Sequence, residues 1–217
     1  MEDKRFLNAK EVVSMNIVFM NQKGGVGKTT CCCELGKSLE RTGTPYSFFN
    51  LDPQGGSLIE PKDDPNAEVT IVDTPGVLSE HSAEWVQNAD VICVPTRASA
   101  LDIPTLNRML DMVQTYRKKD AALVIIINQW TRWTSCKDFM VWLEGLDWLN
   151  AVVTTLPQSE MFLQASAMGK SVIEFAPRHM AAQGALDMVN TIRKVAGLDE
   201  ELLEAYRGKK PDGTDFD

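Results

Sequence analysis

The sequence lacks the features that mark membrane and secreted proteins. No apolar run in its 217 residues approaches the roughly 20 residues that a helix needs to span a bilayer. The opening stretch MEDKRFLNAKEVVS, residues 1–14, is charged and holds no apolar core of the kind found in secretory signals. We therefore expect a cytoplasmic protein that makes no contact with a membrane.

Positive charge is also scarce. The chain has 22 lysines and arginines against 30 aspartates and glutamates, for a formal net charge of −8. This balance argues against a protein coated in nucleic acid, although it leaves room for a local basic patch. The 44% of hydrophobic and 24% of charged residues are an ordinary globular composition. The length fits one domain with a sizeable core.

The five cysteines form neither a disulfide framework nor a CxxC metal spacing. Three are adjacent, at residues 31–33, whereas Cys93 and Cys136 stand alone. This usage indicates a reduced protein. For the adjacent three we favour packing over redox chemistry, because a free cysteine behaves as a small hydrophobic residue.

Apolar runs alternate with amphipathic stretches along the chain. Runs rich in Val, Ile and Phe predict strands at 15–21, 45–51, 69–73, 90–95, 121–128 and 151–156. The stretches between them predict helices at 28–42, 79–88, 101–119, 136–147, 159–168 and 180–196. Several strands are near-continuous apolar runs, as strands buried on both faces require. The pattern predicts an α/β fold, a doubly wound and mainly parallel sheet flanked by helices.

We expect a single domain over residues 15–206. Residues 1–14 precede the first strand and form an appendage, which is an arm, a short helix or an over-long start-site assignment. The tail RGKKPDGTDFD, residues 207–217, is predicted to be disordered.

The stretch GGVGKTT follows a predicted strand and opens a predicted helix, which is the context in which a Gly-rich loop binds phosphate. Glycines let backbone N–H groups turn toward phosphate oxygens, and the helix N-terminus adds partial positive charge. Lys28 is expected to reach the β- and γ-phosphates of a bound nucleotide, and the Thr29 hydroxyl to ligate Mg²⁺. The residues expected to contact the nucleotide here are Gly24, Gly25, Val26, Gly27, Lys28, Thr29 and Thr30.

Two aspartates complete this constellation at the ends of predicted strands. Asp52 follows the second strand and Asp73 ends the third. Ligands of doubly wound sheets bind at the carboxyl ends of the strands. We expect Asp73 to hold Mg²⁺ through water, and Asp52 to orient the attacking water or contact the metal. Either aspartate could instead cap a turn.

These motifs resemble those of the ParA/MinD ATPases. KGGVGKTT is similar to their deviant Walker A motif, LDPQGGS to their switch I, and VDTPG to their Walker B motif and switch II. Stretches 89–110 and 154–189 are similar to later parts of ParA proteins, so the resemblance covers about residues 15–197. It implies an enzyme that hydrolyses ATP to ADP and phosphate, slowly and under stimulation by a partner, and that forms a homodimer with ATP.

The same resemblance implies a role for the earlier lysine, Lys23. In such proteins this lysine crosses the interface of an ATP dimer to touch the partner's phosphates. A cation supplied in this way stabilises charge on the transferring phosphoryl group, as an arginine finger does. We therefore count Lys23 with Lys28 and Asp52 among the catalytic residues. The alternative is a solvated loop lysine.

The resemblance also implies that Asn128 and the backbone around Pro157 lie near the adenine base. An Asn amide can pair with the adenine edge as donor and acceptor, although Asn128 could equally cap a loop.

Some features depart from the family pattern. Asn50 stands where many relatives carry a further aspartate, and the segment from Asp52 to Asp73 leaves little room for the usual additional helix and strand. An iron–sulfur role, as in the related nitrogenase iron protein, is disfavoured because Cys93 lies inside a predicted strand.

Two functions from different classes fit these expectations. The first is a DNA-segregation ATPase of plasmid or mobile-element type, which binds DNA non-specifically and is stimulated by a centromere-binding partner. The second is a positioning switch that acts on a protein cargo through an adaptor and binds little DNA. A membrane-bound version would need a basic amphipathic C-terminal helix, and a small-molecule phosphotransferase an acceptor motif; we see neither. The candidate DNA contacts are Arg132, Lys137, Arg178, Arg193 and Lys194. Four tryptophans between residues 130 and 148 belong either to the core or to a surface that binds a partner: Trp130, Trp133, Trp142 and Trp148.

Overall fold

The computed structural model describes residues 14–52, 56–77 and 81–201. The predicted appendage, apart from Ser14, and the predicted disordered tail lie outside the described residues. So do residues 53–55 of the switch I stretch and residues 78–80 at the start of the second predicted helix.

Within the described residues, six strands form one sheet in the order β2-β3-β1-β4-β5-β6. Every neighbouring pair is parallel, so the predicted parallel α/β fold is confirmed. The strands are β1 (Met15–Phe19), β2 (Tyr46–Asn50), β3 (Val69–Asp73), β4 (Val91–Arg97), β5 (Ala122–Trp130) and β6 (Ala151–Pro157). The central place of β1 puts the loop that follows it between the ends of β3 and β4.

The helices connect these strands on both faces of the sheet. They are α1 (Lys28–Thr42), α2 (Ser82–Asn88), α3 (Ile103–Tyr116), α4 (Thr134–Glu144), α5 (Met161–Ala167), α6 (Val172–Phe175) and α7 (Met180–Val195). A 3₁₀ turn at Asp147–Leu149 separates α4 from β6. The four-residue α6 was not predicted, because it is too short to show a helical period. In the described part of the chain, no helix has the length and apolar character that crossing a bilayer requires.

Alternate residues of the strands feed two hydrophobic cores. Ile17 and Phe19 of β1 face the core that α1, α5, α6 and α7 cover, whereas Val18 faces the core covered by α2, α3 and α4. Burial of each large side chain contributes about 1.5–3 kcal/mol. The two-sided burial explains why the strands read as continuous apolar runs.

The cysteines of α1 belong to the first of these cores. Cys31, Cys32 and Cys33 are buried and free, and so are Cys93 and Cys136. Burial raises the pKa of the Cys31, Cys32 and Cys33 thiols, which keeps them protonated and unreactive. The structure therefore supports a packing role for the three adjacent cysteines over a redox role.

The segment between β2 and β3 is short, as its sequence indicates. Residues 56–68 contain no further helix or extended strand, and an isolated antiparallel bridge joins Phe48 to Lys62.

The segment after α7 folds back onto α1. Arg41, near the end of α1, donates to both carboxylate oxygens of Glu201, from Nε at 2.6 Å and from Nη2 at 3.1 Å. The backbone N–H of Glu201 donates to Oδ1 of Asn190 in α7 at 2.8 Å. Bidentate pairs of this kind fix geometry as well as charge, so this contact ties the end of the described chain to the helix that follows the glycine loop.

Candidate nucleotide site

The loop between β1 and α1 opens onto a cavity of about 470 Å³ at the carboxyl ends of the strands. Its walls come from this loop, from the ends of β2 and β5, and from the loop after β3. The lining residues are Gly24, Gly25, Gly27, Lys28, Thr29, Thr30, Asp52, Pro75, Gly76, Val77, Asn128 and Gln129. Eight of the residues expected from the sequence are thus brought together at this cavity; the lining does not include Lys23, Val26, Asp73 or Pro157.

Gly27 is the residue on which the loop turns into the helix. It is the N-cap of α1 with φ of 96°, a left-handed conformation that favours glycine. A Cβ at this position would lie 2.2 Å from Nδ2 of Asn128, which is far inside contact distance. Because Gly27 has no side chain to cap the helix, the first-turn N–H groups of α1 are available to an anion in the cavity.

The loop after β3 packs closely against the glycine loop. A Cβ on Gly76 would lie 3.3 Å from the backbone N and Cα of Gly24 and 3.5 Å from Nζ of Lys28. Gly76 therefore allows a backbone approach that a larger residue would prevent. Lys28 itself is buried, so its ammonium lies beside both loops at the base of the cavity.

Thr29 and Asp73 form the part of the site that suits a divalent cation. The Thr29 hydroxyl donates to Oδ2 of Asp73 at 2.6 Å. Burial raises the pKa of Asp73, while the bond from Thr29 and the charge of Lys28 lower it. Oδ1 of Asp73 is buried and has no hydrogen-bond partner among the described residues, which is costly for a carboxylate oxygen.

A magnesium ion fits this donor set. Mg²⁺ prefers oxygen ligands and is held by one or two protein groups together with water and phosphate oxygens. No cluster of three or more His, Cys, Asp or Glu that could hold a metal occurs in ranges 14–52, 56–77 and 81–201. The unpartnered carboxylate oxygen beside a hydroxyl therefore matches a metal shared with a phosphate ligand, and gives no support to an iron–sulfur site.

Asp52 lines the cavity from the end of β2, as the sequence predicts. Its backbone N–H donates to Oδ1 of Asn50 at 3.0 Å. Asn50 thus holds the backbone of Asp52 in place.

Lys23 lies beside the cavity and contacts a carboxylate of its own chain. Its ammonium bonds Oδ1 of Asp102, and Oδ2 of Asp102 accepts from Nε of Arg97 at 3.2 Å. Sequence reasoning missed Asp102 and Arg97, because Asp102 stands before Ile103 and Pro104 like any helix cap. The predicted contact of Lys23 across a dimer interface stays a prediction.

Asn128 has a structural role at the loop, which was the alternative to adenine binding. Its Nδ2 donates to the carbonyl of Val26 at 2.9 Å, and its Oδ1 accepts from the N–H of Gln129 at 2.8 Å. Pro157 pairs with Trp130 in the sheet and approaches Gly184 of α7. Contacts of Asn128 and Pro157 with adenine stay predictions.

Gln129, in the cavity lining, was missed by sequence reasoning. Its φ of 56° is uncommon for a residue other than glycine. Nothing in the sequence around it signals this conformation.

One of the candidate DNA contacts is wrong. Arg193 lies on the inner face of α7, where it is buried and donates to the carbonyl of Asp199 at 2.6 Å and to the Thr42 hydroxyl at 3.2 Å. The remaining candidates are exposed: Arg132, Lys137, Arg178 and Lys194.

The four tryptophans do not form one surface. Trp130 and Trp142 pack against the core beneath α4. Trp133 and Trp148 are 69% and 49% exposed.

A family model provides the observation that decides the relationship. The model described as the CobQ/CobB/MinD/ParA nucleotide binding domain matches residues 17–172, which is more than half of the chain. The chain belongs to this family. The match runs from β1 through the glycine loop to the start of α6 and includes every residue that lines the cavity.

Two curated proteins match parts of this chain. Soj of Bacillus subtilis, named a sporulation initiation inhibitor protein, is 36% identical over 100 residues, which are 42% of this chain and 40% of Soj. Protein ParA of Rhizobium radiobacter is 28% identical over 111 residues, which are 40% of this chain and 50% of ParA. The matched segments therefore span half or less of the length of these relatives.

A solved structure shows the same fold. The Cyanothece McdA–ATP complex superposes with a TM-score of 0.70 at 16% identity, over 87% of this chain and 98% of McdA. The resemblance to ParA/MinD proteins that the motifs indicate is thus confirmed, together with the fold.

Proposed function

We propose that this chain is an Mg-ATP-dependent ATPase switch that forms a homodimer with ATP and acts in segregation of plasmid or mobile-element DNA. The observation that carries the Mg-ATP part of the proposal is the pairing of Thr29 with Asp73, whose second carboxylate oxygen is buried without a hydrogen-bond partner among the described residues. This arrangement suits a divalent metal ion that also binds phosphate. The ATP bound by McdA, a protein of the same fold, supports the same choice of nucleotide.

ATP binding in this proposal relies on the glycine loop and Lys28. The first-turn amides of α1 and the buried Lys28 ammonium bind the phosphates, whose charge they offset. A magnesium ion bound here would offset negative charge on the phosphates. Thr29 and Asp73 would hold it, with Asp73 acting directly or through water.

Hydrolysis requires a positioned water and a further cation. Asp52, held by Asn50 at the end of β2, orients the attacking water. Lys23 of a second copy supplies the cation that stabilises charge on the transferring phosphoryl group. In a single copy Lys23 bonds Asp102 instead, which is consistent with slow hydrolysis until a partner protein engages the dimer.

A second candidate function is a positioning switch for a protein cargo that binds little DNA. The net charge of −8 favours it, as does the burial of Arg193, since both reduce the cationic surface that DNA binding needs. An adaptor protein would then replace the centromere-binding partner.

Sedimentation velocity and a mobility-shift assay test these proposals. We expect a dimer in Mg-ATP, a monomer in ADP or without nucleotide, and no ATP dimer for Lys23→Ala. A wild-type protein that stays monomeric in saturating Mg-ATP would rule out the switch. An ATP-dependent shift of non-specific duplex DNA, weakening with added salt, selects segregation; no shift at low salt selects the protein cargo.

A further inference from the structure

Asp102 occupies a helix-capping position without capping the helix. It is the N-cap of α3, yet its side chain accepts no hydrogen bond from the first turn. Pro104, the second residue of that turn, has no N–H to donate. The carboxylate is 3% exposed, and its two oxygens instead accept from Lys23 and Arg97. Asp102 therefore connects the loop after β1, through Lys23, with the end of β4, through Arg97.

The cluster of Lys23, Arg97 and Asp102 contains two cations and one carboxylate. Lys23 and Arg97 share a single buried carboxylate, and their side chains are 31% and 36% exposed. A buried carboxylate stripped of all partners is strongly destabilising. Because Arg97 can remain on Asp102, departure of Lys23 leaves a neutral pair and avoids that cost.

The backbone at Lys23 is held independently of its ammonium. The N–H of Lys23 donates to Oδ1 of Asn21 at 3.0 Å, and Nδ2 of Asn21 donates to the Pro95 carbonyl at 2.7 Å. Release of Lys23 from Asp102 therefore requires rotation of its side chain and no change in the loop.

We propose that Asp102 and Arg97 are positioning residues that set when Lys23 becomes available to a second copy of this chain. Asp102 holds the Lys23 ammonium on its own subunit. The phosphates of a nucleotide on the second copy compete for that ammonium, and Arg97 neutralises Asp102 after Lys23 leaves. This inference rests on the proposed ATP-dependent dimer.

The two positioning residues have opposite effects on dimerisation. Asp102→Asn keeps the side-chain shape but removes the charge that retains Lys23, so the ATP dimer should form with a dissociation constant at least about threefold lower than wild type. Arg97→Gln leaves Lys23 as the cation on Asp102, so the dimer should weaken at least about threefold. Arg97→Lys restores a cation and should return the constant toward wild type. A merely structural role would move all of these variants in one direction.

A second measurement follows Lys23 in the nucleotide-free protein. Acylation by an N-hydroxysuccinimide ester, quantified by peptide mass spectrometry, reports how readily the ammonium leaves Asp102. The exposed Lys194 of α7 serves as an internal reference. Asp102→Asn should raise the acylation rate of Lys23 relative to Lys194 at least about threefold, whereas Arg97→Gln should lower it. Thermal melts exclude variants that do not fold.

The outcomes separate the two proposals. A wild-type protein that does not dimerise with Mg-ATP, or a Lys23→Ala variant that dimerises as tightly as wild type, overturns the proposed function. An unchanged Lys23 acylation rate in Asp102→Asn overturns the proposal that Asp102 retains the Lys23 ammonium, whatever the dimer assay shows. Dimer constants that shift in the same direction for Asp102→Asn and Arg97→Gln overturn it as well. If Asp102→Asn fails to fold, acylation and dimerisation of Arg97→Gln and Arg97→Lys decide the question.

Discussion

Glu34 is a buried acid that should make the stability of this protein depend on pH. It lies in α1, 4% exposed, with Oε1 accepting from the N–H of Val172 at 2.8 Å and Oε2 unpartnered among the described residues. Burial raises the pKa of Glu34 from 4.5 to about 7; the Val172 bond and Arg41 lower it, and nearby Glu174 and Glu201 raise it. The folded protein therefore binds this proton more tightly than the unfolded chain does.

The sign and size of the effect follow from these values. A raised pKa contributes stability that is fully present below the unfolded value of 4.5 and is lost as the pH rises through about 7. Between about pH 5.5 and about pH 8, the linkage relation gives a loss of about 2 kcal/mol in the free energy of unfolding. This is a substantial part of the roughly 5–15 kcal/mol that stabilises a typical domain.

Urea denaturation of Glu34→Gln isolates this contribution. Glutamine keeps an acceptor for Val172 but cannot ionise. The difference in the free energy of unfolding, variant minus wild type, should therefore be about 2 kcal/mol larger at about pH 8 than at about pH 5.5. The slope of this free energy against urea concentration should not change. Glu144→Gln, at an exposed position of α4, is the matched control and should show little difference between the two conditions.

An equal stability difference between wild type and Glu34→Gln at both pH values would refute this reasoning. It would mean that Glu34 ionises in the folded protein as readily as in the unfolded chain. A pH-dependent difference of similar size in Glu144→Gln would instead assign the effect to the overall charge of the protein.

Three further changes test the nucleotide site. Lys28→Ala should weaken Mg-ATP binding at least about 100-fold, or roughly 2.7 kcal/mol, because the phosphates lose their direct cation; near wild-type affinity by calorimetry would sink the assignment. Asp52→Ala should retain binding but slow phosphate release in a turnover assay, since the loop still holds ATP, and a wild-type stimulated rate would contradict this role. Gly27→Ala should cost about 2–4 kcal/mol in urea unfolding, because its Cβ meets Asn128 at a positive φ. Gly24→Ala, whose Cβ meets nothing within 4 Å, should cost much less; equal costs would disprove the steric argument.

The sequence predicted the elements around the site because local signals mark them. The bounds of α1 agree with the prediction of 28–42 since glycines bracket the helix. Gly27 and Gly43 both adopt left-handed φ, 96° and 69°. Asp73 could be placed beside the glycine loop because it ends a continuous apolar strand, and parallel strands end at one edge of a sheet.

Contacts between distant loops were beyond the reach of the sequence. Asp102 lies 79 positions from Lys23, and they meet only because β4 is the neighbour of β1 in the sheet. Strand order depends on the packing of the whole chain rather than on any local motif. The sequence gives a weak indication that Arg193 is buried, since it follows Val189 by one helical turn on the apolar face of α7. We nevertheless predicted an exposed DNA contact because Arg193 is charged.

The ion pair between Arg41 and Glu201 affects where the chain can be truncated without loss of stability. The last helix ends at Val195, and a secondary-structure boundary there invites a shortened version of the protein. Such a fragment would take the carboxylate of Glu201 away from Arg41, which keeps Ser171 and Glu174. It would also remove the backbone partners of Asn190 and Arg193 at Glu201 and Asp199. Residues 196–201 thus fasten α7 to α1 through side-chain and backbone bonds, and a fragment that ends at Val195 should be less stable than one that extends through Glu201.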